Sequence, residues 1–345
     1  MHSIIERCPR AQFAIIMLLV IAIFPITAWG EPDPNRVGAE ECGQCHKKEF
    51  KAWNRSTHSV VLSDRDDDEV IEKSEEYAEA LGIDDIEAAP ECSSCHFTYF
   101  FDEDDDEQVT GVDCESCHGV GKQWMDIHSD YGSVGGAPIE NPEDEDPLHR
   151  EQRWAQSEAA GMLRPGNIAA VTSNCLDCHT GPGDRIVNEG GHTAGSDFDL
   201  PRWLAGEVRH NFHRTNQGQN AEITAERRRQ LYVLGRALQL QYALVGLSSS
   251  TEGTPYNSAM QGRAREAITA LEAIESAAPT AEIASIVTIG KSTPLVSSDA
   301  TATESAAEKI ADQAAQFGAN HDGSALSAID PLIPSGARGQ AFSGN

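Results

Sequence analysis

The chain has 345 residues, with 55 acidic side chains against 26 Lys and Arg and a net charge of −29. That balance excludes general nucleic-acid binding and leaves a solvated acidic coat or a face that attracts basic partners. The length fits one large domain or two modest ones, and with aromatics at only 6% large side chains for a core are scarce.

In chain order, residues 1–30 come first. Arg7 and Arg10 precede an apolar run from Phe13 to Phe24, and the small residues Ala28 and Gly30 precede polar Glu31. This is the pattern of a secretory signal peptide. The run covers 12 residues, short of the ~20 that cross a bilayer. A periplasmic chain starting near residue 31, with no membrane span, is expected.

Export would normally point to disulfides. Cys8 leaves with the signal, however, and the other eight cysteines fall into four copies of one pattern: CGQCH (Cys42–His46), CSSCH (Cys92–His96), CESCH (Cys114–His118) and CLDCH (Cys175–His179). In C-x-x-C-H the two sulfurs add to the vinyl groups of a porphyrin, and the adjoining histidine bonds the iron. A Cys₄ zinc site would give no reason for a histidine after every second cysteine. The spacing therefore predicts four covalently bound c-type haems. Cys42, Cys45, Cys92, Cys95, Cys114, Cys117, Cys175 and Cys178 attach them, and His46, His96, His118 and His179 are the proximal ligands.

Between the motifs, Phe50 and Trp53 follow His46 at the spacing of one helical face. A helix continued from His46 to His58 would span about 18 Å, so His58 is expected to serve another haem than its own segment's. The acidic runs are DRDDDE (64–69), DEDDDE (102–107) and EDED (143–146). The second lacks the Gly and Glu of an EF-hand loop, holding Glu107 and Asp113 there, and reads as a solvated loop. After the third motif, Gly119 and Gly121 precede a short helix with Trp124 and Ile127 that ends at His128, again suited to a neighbouring iron. Loops rich in Gly and Pro occupy 132–147 and 181–195. Pro201 can start a helix through "PRWLAGEVRHNFHRTN", on which His210 and His213, three apart, would share a side.

Leu231, Leu234, Leu238, Tyr242 and Val245 then mark one face of a helix over about 221–247, and a second helix over about 257–277 folds back on it. Residues 281–345 are rich in Ala, Ser and Thr, with one helix expected at 301–317 and a disordered end from 334. The fold class expected is mainly α: a signal (1–30), a haem module (31–220) with few regular strands and the porphyrins as its core, a helical hairpin (221–280) bracing it, and a partly disordered tail.

The histidines left for distal ligation are His58, His128, His149, His192, His210, His213 and His321; His2 leaves with the signal. Met125, Met162 and Met260 are assigned to packing, which leaves mainly His/His haems of low potential.

In that order, "CGQCHKKEFKAWNRSTHS", "ECSSCHFTYF", "GVDCESCHGVGKQWMDIH" and "NCLDCH" resemble the tetrahaem cytochrome c-554 family, the electron acceptors of hydroxylamine oxidoreductase in nitrifying bacteria, over roughly residues 36–215. The resemblance implies a mostly helical fold with closely stacked haem pairs. It implies three bis-histidine haems and, at the second motif, Cys92–His96, no sixth protein ligand. His58 and His128 match the family's distal positions; the third should come from "EVRHNFH", His210 being preferred and His213 the alternative. The acidity departs from the lysine-rich nitrifier proteins, so the redox partner, a multihaem oxidoreductase in the family, stays open. The function expected is electron relay rather than enzymic turnover. The alternatives are reduction of a small nitrogen oxide at a five-coordinate haem, or a haem subunit of a larger complex.

Overall fold

The computed structural model describes residues 33–61, 67–102 and 104–344. The expected signal, with His2 and Cys8, and residues 64–66 of the first acidic run lie outside them. In chain order the helices are α1 (Ala39–Cys45), α2 (Lys47–Trp53), α3 (Asp68–Leu81), α4 (Pro90–His96), α5 (Cys114–His118), α6 (Met125–Ser129), α7 (Pro147–Ala159), α8 (Ile168–Thr180), α9 (Asp184–Asn188) and α10 (Leu200–Ala205). Then come α11 (Ala225–Ser248), α12 (Pro255–Ala277), α13 (Ala281–Ser292) and α14 (Ala300–Asn320). Strands β1 (Thr98–Phe101) and β2 (Glu107–Thr110) pair antiparallel, as do the short β3 (Ser133–Val134) and β4 (Ala137–Pro138). The fold is mainly α. No described helix is long and apolar enough to cross a membrane.

Short helices, some of them capped by side chains, make up the haem-motif region. Asp113 caps α5 by accepting from the Ser116 N–H at 2.9 Å, Pro90 opens α4, and Asn167 caps α8; such caps satisfy amides that a short helix leaves unpaired. The continuous helix expected from His46 to His58 does not form. His46 itself breaks it, with φ −92° and ψ 51° between α1 and α2, and the chain turns after Trp53 into a 3₁₀ turn, Thr57–Ser59. The Trp53 indole donates to the Val112 carbonyl at 2.8 Å, and Glu207 accepts from both the amide and the hydroxyl of Thr57. Those contacts replace the helical ones. Likewise α10 stops at Ala205, so His210 and His213 share no helical face.

The acidic run at 102–107 is the tip of a hairpin rather than a plain loop. The Asp102 carboxylate accepts from the Asp104 and Asp106 amides at 3.0 and 2.9 Å and from the Gln108 side chain at 2.7 Å, an Asx-type turn. In the run at 143–146, Glu145 is buried and Asp146 caps α7, so that run is built into the fold and is not a free acidic face.

The apolar core lies in the C-terminal part. Where one amphipathic face is expected, α11 is buried nearly all round: Val233, Leu234, Leu240, Leu244 and Leu247 are fully buried, while Val245 is 43% exposed. It is the central helix of a bundle, packed against α8, α10, α12 and α14. The helical hairpin is therefore part of a larger assembly, and residues 281–345, expected as a partly disordered tail with one helix, carry two helices, α13 and α14. Thr280 caps α13, which buries Ile283, Ile286 and Val287. Along α14, Ala306, Ala307, Ile310, Ala314 and Phe317 lie against α11; the alanines let the backbones approach closely. The end is ordered too. Arg338 exchanges backbone hydrogen bonds with Arg202 and Glu207, and Phe342, 7% exposed, packs on Phe212.

Candidate haem-binding sites

In the second, third and fourth motifs the cysteines at i and i+3 and the histidine at i+4 share a helix face; in the first, His46 follows α1 as its cap. None of the described cysteines is in a disulfide. They do not gather as cages: among the described residues no group of three or more His, Cys, Asp or Glu side chains is arranged to hold one metal ion. They meet in pairs instead. Cys42 of the first motif lies beside Cys114 of the third, and Cys95 of the second beside Cys178 of the fourth. The third and fourth motifs adjoin at Cys117 and Cys175, where the Asn174 amide also donates to the Ser116 carbonyl. Burial pushes the Cys117 and Cys175 thiols up, to about 11 and about 12.

The four motif histidines each face one histidine from elsewhere in the chain. His46 stands 6.1 Å from His128 between ring centres, His179 6.2 Å from His58, His118 6.2 Å from His210, and His96 6.3 Å from His192. The angles between ring planes run from 23° to 87°. Two imidazoles bonded through nitrogen to opposite sides of one iron, at metal–nitrogen distances of about 2.0 Å, hold their ring centres roughly 6 Å apart whatever their mutual rotation. Constant separation with variable angle is what a shared axis gives. Some packed rings lie closer, as His179 and Phe198 do at 4.3 Å, and others reach the same range, as His96 and Phe97 do at 6.1 Å, so it is the recurrence of the distance in all four histidine pairs that counts. The residues present thus fit covalently held haems between histidine pairs.

Several of these rings are also oriented from behind. His118 donates from Nδ1 to the Leu163 carbonyl at 3.0 Å and His210 to the Val208 carbonyl at 2.7 Å, while His179 Nδ1 meets the Ser196 hydroxyl at 3.0 Å. Engaging Nδ1 leaves Nε2 as the ligating nitrogen. Burial holds the imidazoles neutral: His128 and His179 are pushed down to about 4, first by burial and then by neighbouring histidines, and burial likewise lowers His46, His58 and His118.

The supporting residues come from distant sequence. Arg153 donates to the His128 carbonyl at 2.6 Å and forms a buried two-point pair with Glu145 at 2.8 and 2.6 Å. Hydrogen bonding from Arg153 holds Glu145 down at about 2. Glu115, inside the third motif, accepts from the Val37, Gly38 and Gly121 amides at 3.0, 2.9 and 2.6 Å and so ties the chain before the first motif to the turn before α6. From α12, Arg263 donates to the carbonyls of Ala194 and Ser196, and Glu207, between α10 and His210, holds Thr57 beside His58.

Of the other histidines, His149 bonds Glu145 and His321 bonds Glu282, while His213 is exposed. Met260 is fully buried in the bundle. Sequence reasoning singled out neither Glu115, Arg153 nor Arg263, and left His192 undistinguished among seven candidates. A buried carboxylate inside C-x-x-C-H leaves no periodic signal.

Residues 41–119 match the family model described as cytochrome c554 and c-prime. Cytochrome c-554 of Nitrosomonas europaea is 26% identical over 125 residues, which cover 34% of this chain and 53% of that relative. The match thus spans about half the length of the curated relative. No solved structure matches the chain. The fourth motif and the helical bundle lie beyond the matched family segment. With three C-x-x-C-H motifs inside that segment, residues 41–119 are similar to the cytochrome c-554 family, and the likeness supports a c-type cytochrome with covalently bound haem.

Proposed function

We propose that the chain is an exported tetrahaem cytochrome that relays single electrons between a redox enzyme and an acceptor protein. Cys42, Cys45, Cys92, Cys95, Cys114, Cys117, Cys175 and Cys178 hold the four haems; His46, His96, His118 and His179 are proximal ligands. His128, His58 and His210 are the distal ligands opposite His46, His179 and His118. The observation that carries this reading is the pairing of every motif histidine with one remote histidine at 6.1 to 6.3 Å.

The thiol contacts suggest the order of the wire. The first motif adjoins the third, the third the fourth, and the fourth the second, a linear path with the first and second haems at its ends. Bis-histidine ligation favours low potentials. The net charge of −29 favours redox partners with basic docking faces, of which a multihaem oxidoreductase is one class.

A pyridine haemochrome assay on the purified protein tests the proposal, with four haems per chain expected; any other count overturns it. His128→Ala should keep all four attached and turn one of them high-spin.

A further inference from the structure

We infer that His192 is the sixth ligand of the iron held by His96, so that all four haems are bis-histidine and none has an open coordination position. This rests on the tetrahaem reading above, and it departs from the vacancy that the family resemblance implies for the second motif.

Three observations carry it. The His96–His192 separation of 6.3 Å falls with the 6.1 to 6.2 Å of the other three pairs, at a 59° ring angle that rotation about a common axis allows. The second is orientation: His192 Nδ1 donates to the Thr193 carbonyl at 2.8 Å, as His210 does to Val208 at 2.7 Å. Its free lone pair is therefore on Nε2, the nitrogen a ligand uses.

The third is that the loop bearing His192 is built. The His192 amide donates to the Ile186 carbonyl at 3.2 Å, and Arg263 ties down Ala194 and Ser196 just beyond it. Gly195, at φ +77°, packs against Thr180 and Arg263 so closely that a side chain there would collide with both. Tyr77 of α3 backs the His192 ring at 5.2 Å. A histidine that served only as surface packing against Tyr77 would need neither the fixed loop nor the matching distance to His96.

A closed second haem makes the whole path a conductor and removes the position at which a small nitrogen oxide would bind. The test is electron paramagnetic resonance on the oxidised, fully haem-loaded chain, with the haem count taken on the same sample. No high-spin ferric haem is expected in the wild type. His192→Ala should retain four haems and convert one in four to high-spin, and added imidazole should return that haem to low-spin. His213→Ala should leave the spectrum unchanged.

The inference is overturned if the wild type already shows one high-spin haem per chain that His192→Ala leaves as it was. If His192→Ala fails to accumulate, nitric oxide on the wild type decides: an unchanged spectrum supports the inference, and a high-spin signal abolished by the gas defeats it. A haem count other than four would instead defeat the tetrahaem reading, so the two failures are told apart.

Discussion

Between Ala225 and Leu332 the buried positions are filled by Leu, Ile, Val and Ala on long helices, with Leu240, Leu244, Met260, Leu271, Ile283 and Phe317 fully buried. Between residues 33 and 220 the buried set outside α8–α10 is sparse. It includes Ala39, Ala52, Phe97, Trp124 and Phe212 among the apolar residues and Asp113, Glu115, Glu145 and Arg153 among the charged. The first region is an ordinary hydrophobic core, driven by apolar area removed from water. The second is a frame of turns and ion pairs around histidine pairs, and on the proposed tetrahaem reading the porphyrins supply most of its apolar interior. The joint between them is α8, whose N-terminal Ile168 and Ala169 belong to the bundle core and whose C-terminal turn carries the fourth motif.

The largest effect should follow from removing the haems. A chain with all eight motif cysteines changed to Ser should lose ordered structure over 33–220 yet keep a helical, protease-resistant fragment over about 225–332. Hydrogen exchange with limited proteolysis reads this out. Uniform protection, or uniform loss, would break the contrast between the regions.

Next come single side chains. Leu240→Ala in the bundle should cost about 2–5 kcal/mol by deleting buried methyls and leaving a cavity, measured by chemical denaturation with helical circular dichroism. Arg153→Met in the haem region should cost about 3–5 kcal/mol, because it leaves the buried Glu145 carboxylate with His149 in place of its two-point guanidinium partner, and should perturb chiefly the haem proposed between His46 and His128. Leu240→Ala should act through the bundle and leave that haem's spectrum alone.

The same ion pair sets a pH dependence. Glu145 is held at about 2 against an ordinary value near 4.5. A depressed carboxylate binds its proton more readily in the unfolded chain, so its stabilisation is fully present above about pH 4.5 and is lost as pH falls towards 2. Glu145→Gln should flatten that limb of the stability curve. Wild type and variant losing stability in parallel over that window would refute the assignment.

How much of this was legible beforehand differs by region for physical reasons. The four motifs could be read because thioether chemistry fixes their spacing whatever the fold. Helices α11, α12 and α14 could be read from apolar periodicity, within a few residues at their ends. Helix α13 was hidden because its Ser, Thr and β-branched residues have modest helix propensity, and only packing on α12 and α14 decides its state. The hairpin at 98–110 was masked by its acidic tip. His58, His128 and His210 carried a family pattern. His192 stands in "NEGGHTAGS", with no periodic neighbours, and its position depends on Arg263, 71 residues away by number, which no local pattern reveals.

The smallest expected effect sharpens the contrast best, because the same chemistry occurs in both regions. Thr280 caps α13 through the Ile283 amide at 3.2 Å, and Asp113 caps α5 through the Ser116 amide at 2.9 Å. In the bundle the cap works against fraying, so Thr280→Ala should lower stability by about 1 kcal/mol, with Thr280→Ser restoring most of it and no haem spectrum changing. Helix α5 spans only Cys114–His118, and two thioethers and an iron bond would fix it within that span, leaving little to fray. There the carboxylate acts on docking, through Arg36 at 3.6 Å and the Thr98 hydroxyl at 3.4 Å. Asp113→Asn should therefore shift the spectrum of the third-motif haem more than it shifts the unfolding midpoint. If both substitutions moved only the midpoint, the haem region would be held together in the same way as the bundle.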